Sequence, residues 1–114
     1  MEDPITPGDK PIFGYGMFFE DFSIGKNFRT LARTVTEADL VSFIGVTGMT
    51  EVLFTDVTFK KGVGEAGRVV PAALSYTLME GLLCQTVIQG TGLALLELHK
   101  KIIAPVVVGD TLYL

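Results

Sequence analysis

The sequence has few of the residues on which several common kinds of functional site depend. It contains 1 cysteine and 1 histidine. A single cysteine excludes a disulfide framework within the chain and a zinc cluster built from thiolates, and a single histidine excludes mechanisms that need two imidazoles from one chain. Basic residues are outnumbered, with 9 Lys and Arg against 13 Asp and Glu and a net charge of −4. This acidic balance argues against a protein that reads the phosphate backbone of nucleic acid.

Apolar residues, by contrast, are abundant. They make up 48% of the 114 residues, and only 19% are charged, which predicts one compact domain with a core and argues against a disordered tail. The longest apolar stretch, Val69 to Ile88, includes polar residues and a proline, so it fits a buried helix better than a membrane span. The acidic start of the sequence, Met1 to Pro4, differs from a signal peptide, and we expect a cytoplasmic protein.

The first half of the chain contains one predicted strand and one predicted helix. Residues 1–16 are rich in proline and glycine, which predicts an N-terminal arm before a domain over residues 17–114. Phe28 to Val35 alternates apolar and polar residues, as a half-buried strand does. Thr36 and Asp39 have the spacing of a capping box and predict a helix start, while Gly45 predicts its end. Residues 45–68 are rich in glycine and predict a long connection.

The second half predicts one long helix and then strands. Pro71 is predicted at the first helical position, and the helix from Ala72 to about Gln89 is apolar on nearly all sides, which indicates that other elements enclose it. The strands predicted after it are Leu93 to Ile103, Val106 to Val108 and Thr111 to Leu114, with a tight turn at Gly109-Asp110. This pattern indicates the α+β class. The last strand has no successor, so we expect either a fragment or a sheet that another chain completes.

Three blocks of sequence together resemble the MaoC-like hydratase family. They are FFEDFSIG from Phe18 to Gly25, RTVTEADL from Arg33 to Leu40, and the run from Gly67 to Thr111 that opens with GRVVP and closes with PVVVGDT. The resemblance implies a hot-dog fold, an α+β architecture in which a bent antiparallel sheet wraps around one long central helix. It also implies that two such units pair and that the domain over 17–114 is C-terminally incomplete, because the family pattern continues through two more strands.

The resemblance further implies an activity of fatty acid metabolism. Enoyl-CoA hydratases and 3-hydroxyacyl-CoA dehydratases of this family are lyases that add water to an acyl thioester or remove it. Their motif resembles SGDxNPxH, in which the Asp and the His hold the water and transfer its protons. The corresponding stretch here, Thr47 to Phe54, is TGMTEVLF, so Met49 replaces the Asp and Phe54 the His. Because neither side chain exchanges a proton, we expect an acyl-thioester (acyl-CoA) binding domain without the standard acid and base.

Several residues are candidates for binding or catalysis. Glu51 lies inside the altered motif and would act as a base if it faced an apolar thioester cleft, although a solvated loop carboxylate is the commoner case. Thr47 and Gly48 match the family motif and are predicted to contact substrate. The backbone amides of Ala72 and Ala73, at the start of the predicted helix, are predicted to polarise the thioester carbonyl.

The other chemically notable residues have simpler interpretations. His99 lies in a predicted strand beside two lysines and is expected to be solvated. Cys84 lies inside the apolar helix and is expected to behave as a small hydrophobic residue. Asp56 is expected to end a turn. Glu80, the one charge of that helix, would point into the cleft, toward a partner subunit or into solvent.

Three functions therefore remain open. The first is the thioester-binding domain, and the second is an active hydratase or dehydratase that uses Glu51 or a group supplied by a partner. The third is a non-catalytic structural subunit that pairs with a catalytic homologue. We expect a homodimer or a heterodimer with a homologue, no metal, no cofactor other than coenzyme A as part of the substrate, and neither a nucleic acid nor a membrane as partner.

Overall fold

A computed structural model describes residues 11–59 and 67–114 of the chain. Residues 1–10, which form most of the predicted arm, and residues 60–66 of the predicted connection lie outside the described residues. The elements, in order, are a 3-10 turn at Phe19–Asp21, β1 (Arg33–Thr34), α1 (Glu37–Thr47), α2 (Val52–Thr55), α3 (Ala72–Cys84) and β2 (Thr111–Leu112). The combination of helices with a small antiparallel sheet confirms the predicted α+β class.

The sheet joins residues that are far apart in the sequence. Its register pairs Arg33 with Leu112 and Thr34 with Thr111 in antiparallel orientation. The ladder continues past β1, because the Val35 amide donates to the Asp110 carbonyl and the Gly109 amide donates to the Val35 carbonyl, both at 2.8 Å. The turn predicted at Gly109-Asp110 is present: Gly109 has φ +100 and the Asp110 amide donates to the Val107 carbonyl at 3.1 Å. The turn thus places β2 against β1.

The strands are shorter than the sequence predicts. Phe28–Val35 is reduced to β1 and Thr111–Leu114 to β2. Val106–Val108 keeps a single bridge, from Val107 to Val69. Leu93–Ile103 forms no strand, because none of the described segments offers it the row of backbone hydrogen bonds that a strand requires. The prediction of a long strand there is wrong for the part of the chain that the structure describes.

Helix α1 begins as predicted and ends later than predicted. The Thr36 hydroxyl accepts from the Asp39 amide at 3.2 Å, and the Asp39 carboxylate accepts from the Thr36 amide at 2.8 Å, which confirms the capping box. The helix passes through Gly45 and ends at Thr47. Gly48, not Gly45, takes the left-handed conformation, with φ +72, and its amide donates to the Ile44 carbonyl at 2.8 Å.

Helix α3 is shorter and less enclosed than predicted. Pro71 precedes it as the N-cap, rather than occupying the first helical position, and the last helical residue is Cys84. Beyond that residue the Thr86 hydroxyl donates to the Leu82 carbonyl at 2.7 Å and so competes with continued helical pairing. Cys84 is exposed at this end, although the helix around it was predicted to be enclosed by other elements.

The hydrophobic core lies between α1 and the beginning of α3. Its buried members are Val35, Leu40, Ile44, Val70 and Leu74. Within α3 only Leu74 and Leu82 are buried, so this helix buries one face instead of being covered on all sides. Neither described range contains a helix that is long and apolar enough to cross a membrane.

The chain at Gly16 packs closely against the turn that follows α3. The Gly16 amide donates to the Gln89 carbonyl and the Met17 amide to the Val87 carbonyl, both at 2.7 Å. A Cβ atom at Gly16 would lie 2.6 Å from the Gln89 nitrogen, so only glycine allows this approach.

Candidate functional site

A cavity of about 480 Å³ opens beside the first turns of α3. Its volume falls within the range of small-molecule pockets. Three parts of the chain contribute to its wall: α2, the chain at Val69 and Val70 with one face of α3, and the segment over residues 100–106. The wall is predominantly apolar, which suits the burial of an aliphatic group.

One face of α3 forms the floor of the cavity. Ala72, Ser75, Tyr76 and Met79 line it, and their spacing of three, one and three residues places them on a single helical face. Among the described residues, the amides of Ala72 and Ala73 donate no hydrogen bond to another group, as expected for the first turn of a helix. Of these two residues, Ala72 is in the wall of the cavity.

Helix α2 brings Phe54 into the cavity wall. Phe54 is half-buried, packs against the core and lines the cavity together with Leu53. Its carbonyl accepts two hydrogen bonds from the Arg68 guanidinium, from Nε at 3.1 Å and from Nη2 at 2.9 Å. The Arg68 Nη1 atom forms an ion pair with Glu37 in the first turn of α1. Arg68 therefore holds α2 against the rest of the fold.

We expect Arg68→Met to lower the free energy of unfolding by about 1–3 kcal/mol, because it leaves the Phe54 carbonyl without its two donors while keeping most of the apolar stem. Urea denaturation followed by circular dichroism measures this loss. The matched control is Glu37→Gln, which alters only the exposed end of the ion pair and should cost less than about 1 kcal/mol. Equal losses in both variants would contradict the assignment of the effect to Phe54.

The altered motif lies around the start of α2. Glu51 is its N-cap, exposed, with a carboxylate that accepts from the Leu53 amide at 3.2 Å. Glu51 and the half-buried Met49 are not in the cavity wall. The Thr47 hydroxyl donates to the Phe43 carbonyl at 2.6 Å, and Gly48 caps α1, so these two also lie outside the wall. Of the altered motif, only Leu53 and Phe54 reach the cavity.

A polar cluster borders the cavity at Tyr76. The Lys100 Nζ atom lies 4.9 Å from the centre of the Tyr76 ring, a cation–π distance. Burial raises the pKa of the Tyr76 phenol, and the negative charge of the neighbouring Glu80 carboxylate raises it further. Glu80 is thus engaged by its own helix, four residues from Tyr76.

The remaining candidate residues are placed as follows. Asp56 ends α2, and the Thr58 hydroxyl, which donates to its Oδ1 at 2.6 Å, lowers the pKa of the Asp56 carboxyl. Asp56 therefore begins a turn, since its carbonyl accepts from the Phe59 amide at 3.1 Å, whereas the sequence predicted it at the end of one. His99 is exposed and lies outside the cavity wall. In the two described ranges, no group of His, Cys, Asp and Glu side chains could hold a metal ion.

Most of the sequence matches a known family. The family model of the MaoC like domain matches residues 21–114. The chain belongs to the MaoC-like family. This confirms the resemblance drawn from the three motifs, and with it the hot-dog fold. The match lies within the predicted domain over residues 17–114. A comparison with curated proteins gave no match.

Two solved structures from Archaeoglobus fulgidus are similar to this MaoC-like chain. One, described as a monoamine oxidase regulatory protein, has a TM-score of 0.68 and 27% identity over 85% of this chain and 67% of its own. The other, protein af1124, has a TM-score of 0.63 and 21% identity over 93% of this chain and 65% of its own. The chain therefore spans about two thirds of the length of these structures, and the second similarity shows the fold alone.

Sequence reasoning missed three residues of the site in this MaoC-like chain. Ser75 and Tyr76 were not singled out, although two polar side chains on an otherwise apolar helical face are a usable signal. Arg68 was quoted only as part of the GRVVP motif. No sequence signal could have identified its contact with Phe54, because that contact joins residues 14 positions apart and follows no local pattern.

Proposed function

We propose that this MaoC-like chain binds an acyl thioester, such as acyl-CoA, in the cavity beside α3 and does not itself catalyse hydration. The observation that carries this proposal is an apolar cavity with Phe54 in its wall. Phe54 occupies the motif position at which the family resemblance implies the catalytic histidine. A hydrocarbon ring at that position supports burial of an acyl chain and leaves no group for proton transfer.

In this proposal the thioester carbonyl lies at the first turn of α3. The amides of Ala72 and Ala73 would donate to the carbonyl oxygen, because the first amides of a helix lack partners within it. The acyl chain would extend along the face formed by Ser75, Tyr76 and Met79. Contacts of Thr47 and Gly48 with the substrate remain predictions, and neither residue is in the cavity wall.

The competing function is an active hydratase or dehydratase. It requires a base, and Glu51 is the candidate within the chain, since it lies two residues from Leu53 in the wall. The engagement of its carboxylate by the Leu53 amide favours the binding function over this alternative. A structural subunit that pairs with a catalytic homologue is the third function, and it differs from the first in requiring no thioester affinity.

We also propose that the hot-dog unit is completed by pairing, as a homodimer or with a homologue. The support comes from the segment over residues 93–103, where Leu93, Leu96 and Ile103 are among the exposed large apolar side chains. The segment has apolar side chains in solvent and no backbone ladder with the described residues. A strand from another copy would cover both features.

The test is a titration with butyryl-CoA and a crotonyl-CoA hydration assay, on protein whose solution mass has been measured. We expect a Kd of about 10–100 μM, in the usual range for metabolite sites, and no loss of enone absorbance above the uncatalysed rate. Ala72→Phe fills the cavity wall and should weaken binding at least tenfold, whereas Thr77→Phe, on an exposed position of the same helix, should not.

Each other outcome points to a different function. Hydration above background that is lost in Glu51→Gln would establish the active hydratase. Absence of butyryl-CoA binding by the folded protein would leave the structural subunit. Equal binding by Ala72→Phe and the unmodified chain would place the thioester elsewhere than in this cavity.

A further inference from the structure

Ser75 has an unsatisfied hydroxyl. Among residues 11–59 and 67–114, its Oγ is the one buried side-chain polar atom without a hydrogen-bond partner. Native proteins pair most such atoms, because an unpaired buried hydroxyl costs free energy. An exception at a residue in the wall of a ligand-sized cavity therefore needs an explanation.

The usual partner of a helical serine is already occupied. Ser and Thr side chains in helices commonly donate to the carbonyl four residues earlier. Thr77 does so to the Ala73 carbonyl at 2.7 Å. For Ser75 that carbonyl belongs to Pro71, which accepts from the Leu74 amide at 2.9 Å and from the Ser75 amide at 3.4 Å. Ser75 is thus left without the local bond that Thr77 makes.

Ser75 lies where a bound acyl chain would pass. It is in the cavity wall, between Ala72 at the start of α3 and Met79 one turn further. Its Oγ is buried in the chain without a ligand, so a hydrogen bond to a ligand would require rotation about the Cα–Cβ bond to a staggered position that faces the cavity. The surrounding wall is mostly apolar, so a ligand oxygen that reached this position would have few other partners there.

We propose that Ser75 is a specificity-determining residue, whose hydroxyl selects acyl groups that carry an oxygen substituent close to the thioester carbonyl. This inference rests on the proposed thioester binding. The rise along a helix places Ser75 about 4.5 Å beyond Ala72. If the Ala72 and Ala73 amides hold the carbonyl, a hydroxyl or keto oxygen on the third carbon of the acyl chain reaches Ser75. An unsubstituted chain leaves the Ser75 hydroxyl unpaired.

The probes are butyryl-CoA and 3-hydroxybutyryl-CoA, which differ by one oxygen. Isothermal titration of the full chain should give an affinity about tenfold higher for the hydroxylated probe, since one buried hydrogen bond is gained and one unpaired hydroxyl is removed. In Ser75→Ala the preference should fall below twofold, because the ligand hydroxyl then enters an apolar wall. Thr77→Ala is the matched control and should keep the preference of the unmodified chain.

The outcomes separate this inference from the function on which it rests. Binding of both probes with the same ratio in the unmodified chain and in Ser75→Ala overturns the role of Ser75 and leaves thioester binding intact. Failure of the folded, unmodified chain to bind either probe overturns the proposed function and the inference with it. Thermal unfolding of Ser75→Ala provides a second check: without ligand, removal of the unpaired hydroxyl should keep or raise Tm, and a lower Tm would show that the hydroxyl has a structural partner.

Discussion

Replacing Leu40 by alanine is expected to lower the free energy of unfolding by about 3 kcal/mol. Leu40 is fully buried and belongs to the core cluster with Val35, Ile44, Val70 and Leu74. Truncation removes about three methylene equivalents from an apolar environment and leaves a cavity that the surroundings refill only in part. Because Leu40 joins α1 to the start of α3, the loss affects both the helix that precedes the altered motif and the floor of the cavity.

The neighbouring residue provides the control. Val41 is on the same helix but is 56% exposed, so Val41→Ala should change the free energy of unfolding by less than about 0.5 kcal/mol. Urea denaturation of both variants, with equal m-values, measures the difference. A loss of similar size in the two variants would contradict the position of the core between α1 and α3.

Acid is expected to destabilise the chain through Asp39. This carboxylate accepts from the Thr36 amide at 2.8 Å and from both terminal nitrogens of Arg33, each at 2.9 Å. These contacts hold the pKa of the Asp39 carboxyl far below its usual range, and the hydrogen bonds from Arg33 are the largest cause. A lowered pKa in the folded state means that the stabilisation is complete above the unfolded pKa of about 3.9 and is lost as pH falls below it.

The contribution of Asp39 is about 1–2 kcal/mol, set mainly by its role at the helix start. The ion pair adds little to this, because the Arg33 side chain is 42% exposed and solvent screens the pair. Asp39→Ala should therefore lose this amount at pH 7 and less at pH 3. Glu20→Ala, an exposed carboxylate of the 3-10 turn, is the control. If Asp39→Ala and the unmodified chain differed by the same amount at both pH values, the Asp39 carboxylate charge would not be the cause.

The sequence predicted only those features of the candidate site that depend on residues close together along the chain. The family resemblance aligns Met49 and Phe54 with the motif's Asp and His directly from the order of residues, so the predicted loss of the proton-transfer groups needs no structure. The start of α3 was also predictable, because Pro71 and the apolar run after it mark a helix N-terminus. The residues that share the cavity with Phe54 were not predictable, because Val69, Ser75 and residues 100–106 reach the cavity only through tertiary packing.

In the fold, too, features set by near neighbours in the sequence were predictable, and features set by distant contacts were not. The capping box of α1 joins residues three positions apart and was predicted correctly from Thr36 and Asp39. The predicted strand over Leu93–Ile103 has the right composition, but composition supplies no neighbour for its backbone. The end of α1 was predicted at the wrong glycine, because Gly45 and Gly48 are equally able to end a helix, and only the structure shows that Gly48 takes the left-handed conformation.

The sequence by itself determined that this is a MaoC-like chain with an acidic balance and a capped first helix. Each of these depends on residue identity or on contacts between near neighbours. Only the tertiary structure decided the extent of the sheet, the hydrogen bonds from Arg68 to the Phe54 carbonyl and the position of Ser75 in a cavity wall. The hydroxyls of Thr34 and Thr111, for example, meet at 2.8 Å although 77 positions separate them. Such contacts form when the whole chain packs, and no local pattern encodes which distant backbone or side chain will be the partner.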